Sequence, residues 1–381
     1  MLRPVLTLAT LCLTALATRA QQAAPTTFAP HCDQPLVTNM SAPTTPTQGL
    51  SGRHIAVWHS HGRYYERTLD RWEWQRARLL QTVEDLYTQS YVLPFLVPML
   101  ENAGANVLVP RERDWNTNEV VVDNDANTLS PHTIYKERNG QQAWQQGQDE
   151  GFAYRHKVYT NFQNPFRDGT FRSVQSIKKG QESLAEWVPN VPKTGEYAVY
   201  VSYKTMPGST ATAHYTVHHQ GGESHFRVNQ QMGGGTWIYL GKFVFDEKAG
   251  QQHRVSLSNN TGKVGEMVTA DGVKFGGGMG NIGRPDISGY PRFTEAARYW
   301  LQWAGVPDSV YSASRGENDY TDDYKSRGMW VNWLAGGSEC YPDGQGLNVP
   351  IDLSLAFHSD AGTTKDDRTI GTLGIYYSQS Y

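Results

Sequence analysis

The fold prediction for this chain starts from two stretches, RHIAVWHSHG at residues 53–62 and LENAGANVLVPRERD at residues 100–114. Each is a short apolar run that ends in polar residues, and Glu84 lies between them. A short apolar run bounded by turn residues indicates a buried strand. The order therefore predicts a strand that ends near His61, a helix that carries Glu84, and a second strand.

The segment between these strands has a helical pattern. Apolar residues from Leu79 to Tyr87 recur at helical spacing within residues 64–102. Pro94 lies in the same segment, and a proline inside a helix costs ~3 kcal/mol. We therefore predict helical structure across this segment, with a break or kink near Val92.

A third apolar run, IDLSLAFHSDAG at residues 351–362, ends in His358. A catalytic zinc ion usually has three protein ligands, often two His and one Glu, and a fourth position for water. Strands that end in His61 and His358, with Glu84 on a helix, would gather such a set at the edge of an α/β sheet, where such sites lie. A histidine at a strand end is more often structural, however, and twelve histidines supply many accidental candidates.

These residues resemble a zinc-dependent N-acetylmuramoyl-L-alanine amidase, a family that cleaves the bond between muramic acid and the stem peptide of peptidoglycan. The resemblance lies in His61-Gly62 after the first strand, in Glu84, in the strand that follows Gly104 and in the strand that ends in His358. It implies an α/β fold, an amidase-like mixed sheet flanked by helices. It also implies zinc as the cofactor, with His61, Glu84 and His358 as the metal ligands.

Three further expectations concern the site. His59 is the alternative to His61, because both side chains of a His-x-His pattern point to one face of a strand. The family carries its general-base Glu on a strand after the second His, so we expect either a longer protein with that residue beyond Tyr381 or a chain that is inactive as it stands. Arg111 and Arg113 could hold a substrate carboxylate, or they could form ion pairs with neighbouring acidic residues.

Between residues 155 and 280 apolar residues recur at every second position, instead of at the helical spacing seen earlier in the chain. Short alternating strands at ~8–12-residue spacing, separated by glycine-rich turns, predict an all-β sandwich. The segment resembles the golvesin-like β domain at Trp187-Val188-Pro189 and at Ala270-Asp271-Gly272-Val273. That family is attached to secreted polysaccharide-active enzymes, which implies carbohydrate or cell-wall binding. A spacer with well-packed aromatic residues is the alternative.

The start of the chain predicts export. Arg3 and the apolar run after it, followed by small residues, are typical of a signal peptide. Export to the cell exterior or the periplasm leaves Cys32 and Cys340, which could form a disulfide or remain free. The predicted organisation is as follows: 1–20 signal peptide; 21–50 linker; 51–154 first part of the amidase-like α/β domain; 155–280 golvesin-like β-sandwich insert; 281–381 second part of the α/β domain, with its C-terminal end apparently missing.

Other function classes find little support in the sequence. A net charge of −3 argues for neither nucleic acid nor an anionic membrane surface, and no later stretch is long enough to span a bilayer. The glycines at residues 278–283 are followed by Arg284 and Pro285 instead of a helix, so they do not predict a dinucleotide site. The resemblance to the amidase family, together with the signal-peptide pattern, implies a secreted zinc-dependent hydrolase that cleaves the amide between muramic acid and the stem peptide of peptidoglycan. The alternatives are a non-catalytic cell-wall or glycan-binding protein and a polysaccharide lyase, since chains of this combined architecture resemble proteins labelled xanthan lyases.

Overall fold

The computed structural model describes residues 32–78, 81–125, 129–284, 286–337 and 343–359. Within these ranges the chain consists mainly of β-strands, with a few short helices. The predicted signal peptide, Cys340 and the position of the expected general base lie outside the described residues.

The strands are distributed along the whole described chain. In order they are β1 (Val37–Asn39), β2 (His54–His59), β3 (Arg63–Glu66), β4 (Arg71–Trp74), β5 (Asn106–Leu108), β6 (Val120–Val122), β7 (Ile134–Arg138), β8 (Gln145–Gln146), β9 (Arg172–Gln175), β10 (Leu184–Val188), β11 (Gly195–Val201), β12 (Ala213–His219), β13 (Gly222–Val228), β14 (Ile238–Phe245), β15 (Arg254–Ser258), β16 (Met267–Ala270), β17 (Val273–Phe275) and β18 (Ile351–Phe357).

The helices cluster in two segments that flank the central strands. They are α1 (Glu84–Tyr91), α2 (Val97–Asn102), α3 (Ala297–Trp303), α4 (Asp308–Tyr311) and α5 (Asp319–Ala335). One turn of π-helix, Val92–Leu96, joins α1 to α2. Of the described helices, none is long and apolar enough to cross a membrane.

Most strands belong to a β-sandwich. A six-stranded sheet has the order β1-β13-β12-β15-β10-β7, a four-stranded sheet has the order β14-β11-β17-β6, and their strand pairs are antiparallel. Both sheets contribute to one buried apolar core, which contains Trp187 of β10, Tyr215 of β12 and Val199 of β11. The side chains from the facing sheets fill this core as in other sandwiches.

Strand β11 has both faces buried. Its alternate residues Tyr197, Val199 and Val201 enter the sandwich core. Ala198 and Tyr200 point the other way, into a second core that includes residues of α3 and α5. Because successive side chains of a strand point to opposite faces, the four-stranded sheet is the middle layer, between the six-stranded sheet and the helices.

A small parallel sheet, in the order β18-β2-β5, lies beside these layers. Its central strand β2 is almost wholly buried, as expected for a parallel strand covered on both faces. Ala56 faces the core that contains α3 and α5, while Ile55 and Val57 pack with Val92 and Val97 near α1 and α2. Residues at the carboxyl end of β2 are therefore held on a rigid support.

The prediction of an α/β amidase-like mixed sheet flanked by helices is wrong for this chain. The described residues form mostly antiparallel sheets, and the parallel arrangement is confined to three strands. The reason is that strands from outside the predicted insert join the sandwich: β1 pairs with β13, β7 with β10, and β6 with β17. These residues were assigned to a linker or to the α/β part, and instead they enlarge the antiparallel sheets.

The segment at residues 64–102 is partly helical. Its first residues form the antiparallel hairpin β3–β4, because Tyr64, Tyr65, Trp72 and Trp74 favour strands. The helix begins only at Glu84. The predicted break near Val92 is confirmed, since the regular α-helix gives way there to a π-helical turn that contains Pro94.

Helix α5 is the longest of the described helices and reaches the edge of the parallel sheet. The side chain of Asn318 accepts a hydrogen bond from the backbone N–H of Thr321 and caps its start. Gly336, with φ of 76°, ends it in a left-handed conformation. One face of the helix carries Tyr320, Asp323 and Arg327, which are spaced by three or four residues and therefore line up.

Candidate metal centre

The structure brings His61, Glu84 and His358 together. His61 and His358 follow the parallel neighbours β2 and β18, which are in register so that Phe357 lies opposite His59. The carboxyl ends of parallel strands meet at one edge of the sheet, and the two imidazole rings lie there with their centroids 4.8 Å apart. Glu84 completes the group as the first residue of α1, at the helix end where the dipole favours a carboxylate.

The three side chains lie close enough together that they could hold a metal ion. The Nδ1 atom of His358 lies 3.0 Å from Glu84 Oε1, and His61 Nε2 lies 3.9 Å from the same oxygen. One ligand atom from each of the three residues lies within 4.8 Å of the others. Two ligand atoms of a tetrahedral zinc ion are roughly 3.3 Å apart, so small adjustments would bring these atoms onto one ion.

The protonation states also suit a metal. Burial, together with the nearby Arg327 and Arg76, lowers the pKa of His61 to about 2, so the ring is neutral. Burial alone would raise the pKa of Glu84, but hydrogen bonds with His358 and Ser60 bring it below its ordinary value. A metal requires neutral histidines and an ionised carboxylate. His61 Nε2 is buried and has no hydrogen-bond partner among the described residues, which leaves it available.

Ser60 shapes the turn between β2 and His61. It has a φ of 56°, which is uncommon for a residue other than glycine, and strain of this kind concentrates at functional sites. Its hydroxyl donates to Glu84 Oε1 over 2.9 Å. His59 is fully buried and lies outside the group that could hold a metal.

Helix α5 supports the site from behind. Arg327 donates to the carbonyl of Ser60 over 2.9 Å, and its Nη2 lies 3.4 Å from His61 Nδ1. The carboxylate of Asp323 lies 3.7 Å from this guanidinium and accepts a hydrogen bond from Gln75 over 2.7 Å. Arg327 therefore fixes the ring of His61 so that Nε2 faces Glu84.

A second arginine lies at the open side of the site. The Nε atom of Arg76 is 3.4 Å from Glu84 Oε2, and its Nη1 donates to the hydroxyl of Tyr320 over 2.9 Å. The side chain of Arg76 is 30% exposed and that of His358 is 38% exposed. The centre is therefore open to a ligand on the side of Arg76 and His358, and closed on the side of His61.

Arg111 and Arg113 occupy structural positions. Arg111 is 1% exposed and donates to the carbonyls of His59, His61, Phe293 and Glu295, which stabilises the turn around Ser60.

The surroundings of Arg113 are equally closed. Arg113 binds Glu101 over 2.8 Å and stacks on the ring of Tyr239. The neighbouring Glu112 pairs with the buried Lys274 instead. Of the three candidate ligands, Arg111 reaches only the backbone carbonyl of His61, and within the described part of the chain neither guanidinium forms a hydrogen bond or ion pair with the side chain of a candidate ligand.

Sequence reasoning identified the three candidate ligands but missed Ser60, Arg76, Asp323, Tyr320 and Arg327. The signal for Ser60 lay within the His-Ser-His-Gly turn, since serine is frequent in turns. Arg327 and Asp323 stand four residues apart on a helix, which indicates a possible ion pair but not its distant target. Arg76 carries no local signal.

Comparisons with known proteins support one part of the resemblance. Residues 160–277 match the Golvesin C-terminal domain. A xanthan lyase from Bacillus sp. (strain GL1) is 33% identical over 98 residues, which are 26% of this chain and 10% of that protein. The chain thus spans about a tenth of the length of the curated relative that it matches. None of these matches supports the zinc-dependent amidase family.

Two solved structures give weaker likenesses. The structure of Paenibacillus xanthan lyase is 24% identical, covers 42% of this chain and 13% of that chain, and has a TM-score of 0.31. Carbohydrate-binding modules from the β-sandwich superfamily are 10% identical, cover 44% of this chain and 62% of that chain, and have a TM-score of 0.21. Both TM-scores are too low to carry an argument about the fold.

Proposed function

We propose that this is an exported glycan-binding protein that holds a zinc ion at His61, Glu84 and His358 and binds its glycan beside that ion. The convergence of these three side chains at one sheet edge is the observation that carries the proposal. Cell-surface polysaccharide, including peptidoglycan, is the ligand class.

Two features support a polysaccharide ligand. The golvesin match spans residues 160–277 and the curated relative is a xanthan lyase. The open side of the centre presents Arg76 and the hydroxyl of Tyr320, which are groups that can form hydrogen bonds with sugars or their substituents.

Hydrolysis is the second candidate function, and the ligand set is the observation that favours it. Two histidines and one glutamate form the set of several catalytic zinc sites, in which a fourth position stays open. A zinc ion bound there would polarise a carbonyl group and lower the pKa of a water molecule. In that role His61 and His358 hold the ion, Ser60 and Arg76 orient Glu84, and Arg327 fixes the ring of His61.

The experiment that tests the proposal separates binding from chemistry. The purified zinc-loaded protein is mixed with peptidoglycan, acidic polysaccharide and neutral polysaccharide, and both sedimentation and soluble products are measured. Retention of a glycan without products supports the binding function. New amino termini that disappear after chelation indicate an amidase, and unsaturated sugar ends indicate a lyase. Failure to retain any of the glycans would refute the proposal.

A further inference from the structure

A strip of polar aromatic residues extends from the metal centre across the start of α5. Arg76 joins Glu84 to the hydroxyl of Tyr320. The ring of Tyr320 lies 5.5 Å from that of Tyr64 and 6.1 Å from that of Tyr324. We call Arg76, Tyr320 and Tyr324 the arginine–tyrosine strip. It is continuous with the open side of the three candidate ligands.

The guanidinium of Arg76 is placed to bind a further anion. Its hydrogen bonds to described residues leave from Nη1, toward Tyr320 and the carbonyl of Gln75. A guanidinium carries five N–H donors in a planar fork that matches a carboxylate. Its Nε atom faces Glu84, and because 30% of the Arg76 side chain is exposed, the Nη2 donors can meet a ligand from solvent.

The charge around the centre favours an anionic ligand. Arg76 lies against Glu84 and Arg327 lies against Asp323, so these two pairs are close to neutral. A divalent cation on the three candidate ligands adds positive charge without adding a counter-charge. The field beside Arg76 is then positive, and a carboxylate at this position would lower the electrostatic energy.

The tyrosines provide a surface for a sugar ring. Tyr324 is 48% exposed and Tyr320 is half-buried, one helical turn apart on the same face of α5. Tyrosine combines an apolar face with a hydroxyl, which suits a ligand that has both C–H and O–H groups. At the next turn Gly328 has open space where a Cβ would be, so the helix surface beyond Tyr324 is not blocked.

We propose that the arginine–tyrosine strip binds a sugar residue that carries a carboxylate, with the carboxylate on Arg76 and the ring against Tyr324. This inference rests on the proposed function, because it names the class of glycan that the face beside the metal centre takes. An acidic glycan is therefore preferred over a neutral one of the same length.

The test is a calorimetric comparison of a hexuronate tetrasaccharide with a neutral glucose tetrasaccharide on the zinc-loaded protein. Loss of a hydrogen bond to a charged group costs about 10-fold to 100-fold in affinity. Arg76→Gln should lose that factor in affinity for the hexuronate, and its loss of affinity for the neutral sugar should be clearly smaller. Tyr324→Ala should weaken both sugars. Lys325→Ala removes an exposed cation from the same helix and should change neither.

Zinc content is measured in every variant, because Arg76 touches Glu84. If Arg76→Gln releases zinc, Arg76→Lys is used in its place. The lysine retains the positive charge beside Glu84 but lacks the planar fork of the guanidinium. Tyr324 does not touch the candidate ligands, so its variant reports on the strip alone.

The outcomes separate this inference from the proposed function. Preference for the hexuronate that depends on Arg76 and Tyr324 supports the inference. Equal binding of both sugars, or affinities within about twofold of wild type in zinc-retaining variants of Arg76 and Tyr324, overturns it and leaves glycan binding standing. If neither these sugars nor polymeric glycans bind, the proposed function fails as well.

Discussion

The sandwich and the edge of the parallel sheet differ in which polar side chains they bury, although each leaves some of these atoms, such as Trp144 Nε1 in the sandwich core, without a hydrogen-bond partner among the described residues. In the sandwich, Trp187 donates its indole N–H to the carbonyl of Asp271, and Tyr203 donates to that of Met232. At the sheet edge, His59, His61 and Asp85 have buried polar atoms without hydrogen-bond partners in the described chain. Buried polar groups in folded proteins are normally paired. Unpaired groups that gather at one strand end indicate a place for a ligand, an ion or water.

This difference suggests that the sandwich mainly stabilises the fold and that the edge of the parallel sheet mainly holds the candidate site. The sandwich contributes a large apolar core and hence much of the free energy of unfolding. The parallel sheet supplies a rigid edge on which charged side chains are held close together, at a cost in stability. The following predictions test this division, beginning with the largest expected effect.

The first prediction concerns the sandwich core. Trp187 is completely buried and contacts Tyr135 and Tyr215. Trp187→Ala should lower the free energy of unfolding by about 3–5 kcal/mol, because it leaves a cavity and removes apolar contacts. Urea unfolding measures the change. Trp115→Ala is the control, since Trp115 is 45% exposed and its loss should be much smaller. Equal losses in the two variants would contradict the role given to the core.

The second prediction concerns pH and the strand that carries the site. Burial lowers the pKa of His54 in β2 from 6.5 to about 4, and its Nε2 accepts a hydrogen bond from the backbone of Leu36. Between these values the unfolded chain binds a proton that the folded chain does not. The contribution of His54 to the free energy of unfolding is therefore fully present above pH 6.5, and it is lost as the pH falls toward 4.

Comparison with His54→Gln isolates this effect. From pH 7.5 to pH 5 the wild type should lose about 2 kcal/mol relative to the variant. The comparison is needed because burial raises the pKa of Glu295 to about 7, and that group has the opposite pH dependence. Parallel curves of unfolding free energy against pH for the two proteins would refute the assignment.

The third prediction concerns the strained residue at the site. Ser60→Ala removes the hydroxyl that binds Glu84 and should weaken zinc binding by about 10-fold to 100-fold, as loss of a partner of a metal ligand usually does. Ser60→Gly loses the same hydroxyl but tolerates the φ of 56° without strain. The glycine variant should therefore be more stable than the alanine variant, with equally weak zinc binding. Competition with a chelating dye measures the affinities. Unchanged zinc affinity in both would exclude Ser60 from the site.

The smallest expected effect concerns α5. Gly328 lies inside this helix, and a Cβ there would meet nothing within 4 Å. Gly328→Ala should raise the free energy of unfolding by about 1 kcal/mol, since alanine favours helices. Gly336→Ala should lower the free energy of unfolding, because Gly336 has a φ of 76° and an added Cβ would lie 2.6 Å from the side chain of Asn348. Thermal unfolding distinguishes the two. A destabilised Gly328→Ala would show that this turn of the helix has a packing requirement.

Part of the fold could be predicted from the sequence. The period of two in residues 155–280 indicates strands reliably, since alternation in residues such as Tyr197 to Val201 has a direct physical cause. The pairing partners could not be predicted. Strands β1, β6 and β7 are short and join the sandwich through residues far away in sequence. No local pattern encodes such contacts, so the extent of the antiparallel sheets was missed.

The candidate site shows the same limit. His61 and His358 were identified because each follows a strand that the apolar pattern predicts. Arg76 and Arg327 reach the site from a hairpin and a helix whose placement depends on tertiary packing. The sequence pattern predicts a helix where the hairpin lies, because the spacing of its aromatic residues fits both the helical period and the strand period until the buried face is known.

Zinc content of the purified protein tests the central claim most directly. Wild type, His358→Ala and His156→Ala are loaded with zinc, dialysed and measured by elemental analysis. His156 is an exposed histidine outside the candidate group and serves as the control. The account predicts about one zinc ion per chain in wild type and in His156→Ala, as expected for a single three-ligand site, and none in His358→Ala. No zinc in the wild type, or equal zinc in all three proteins, would contradict it.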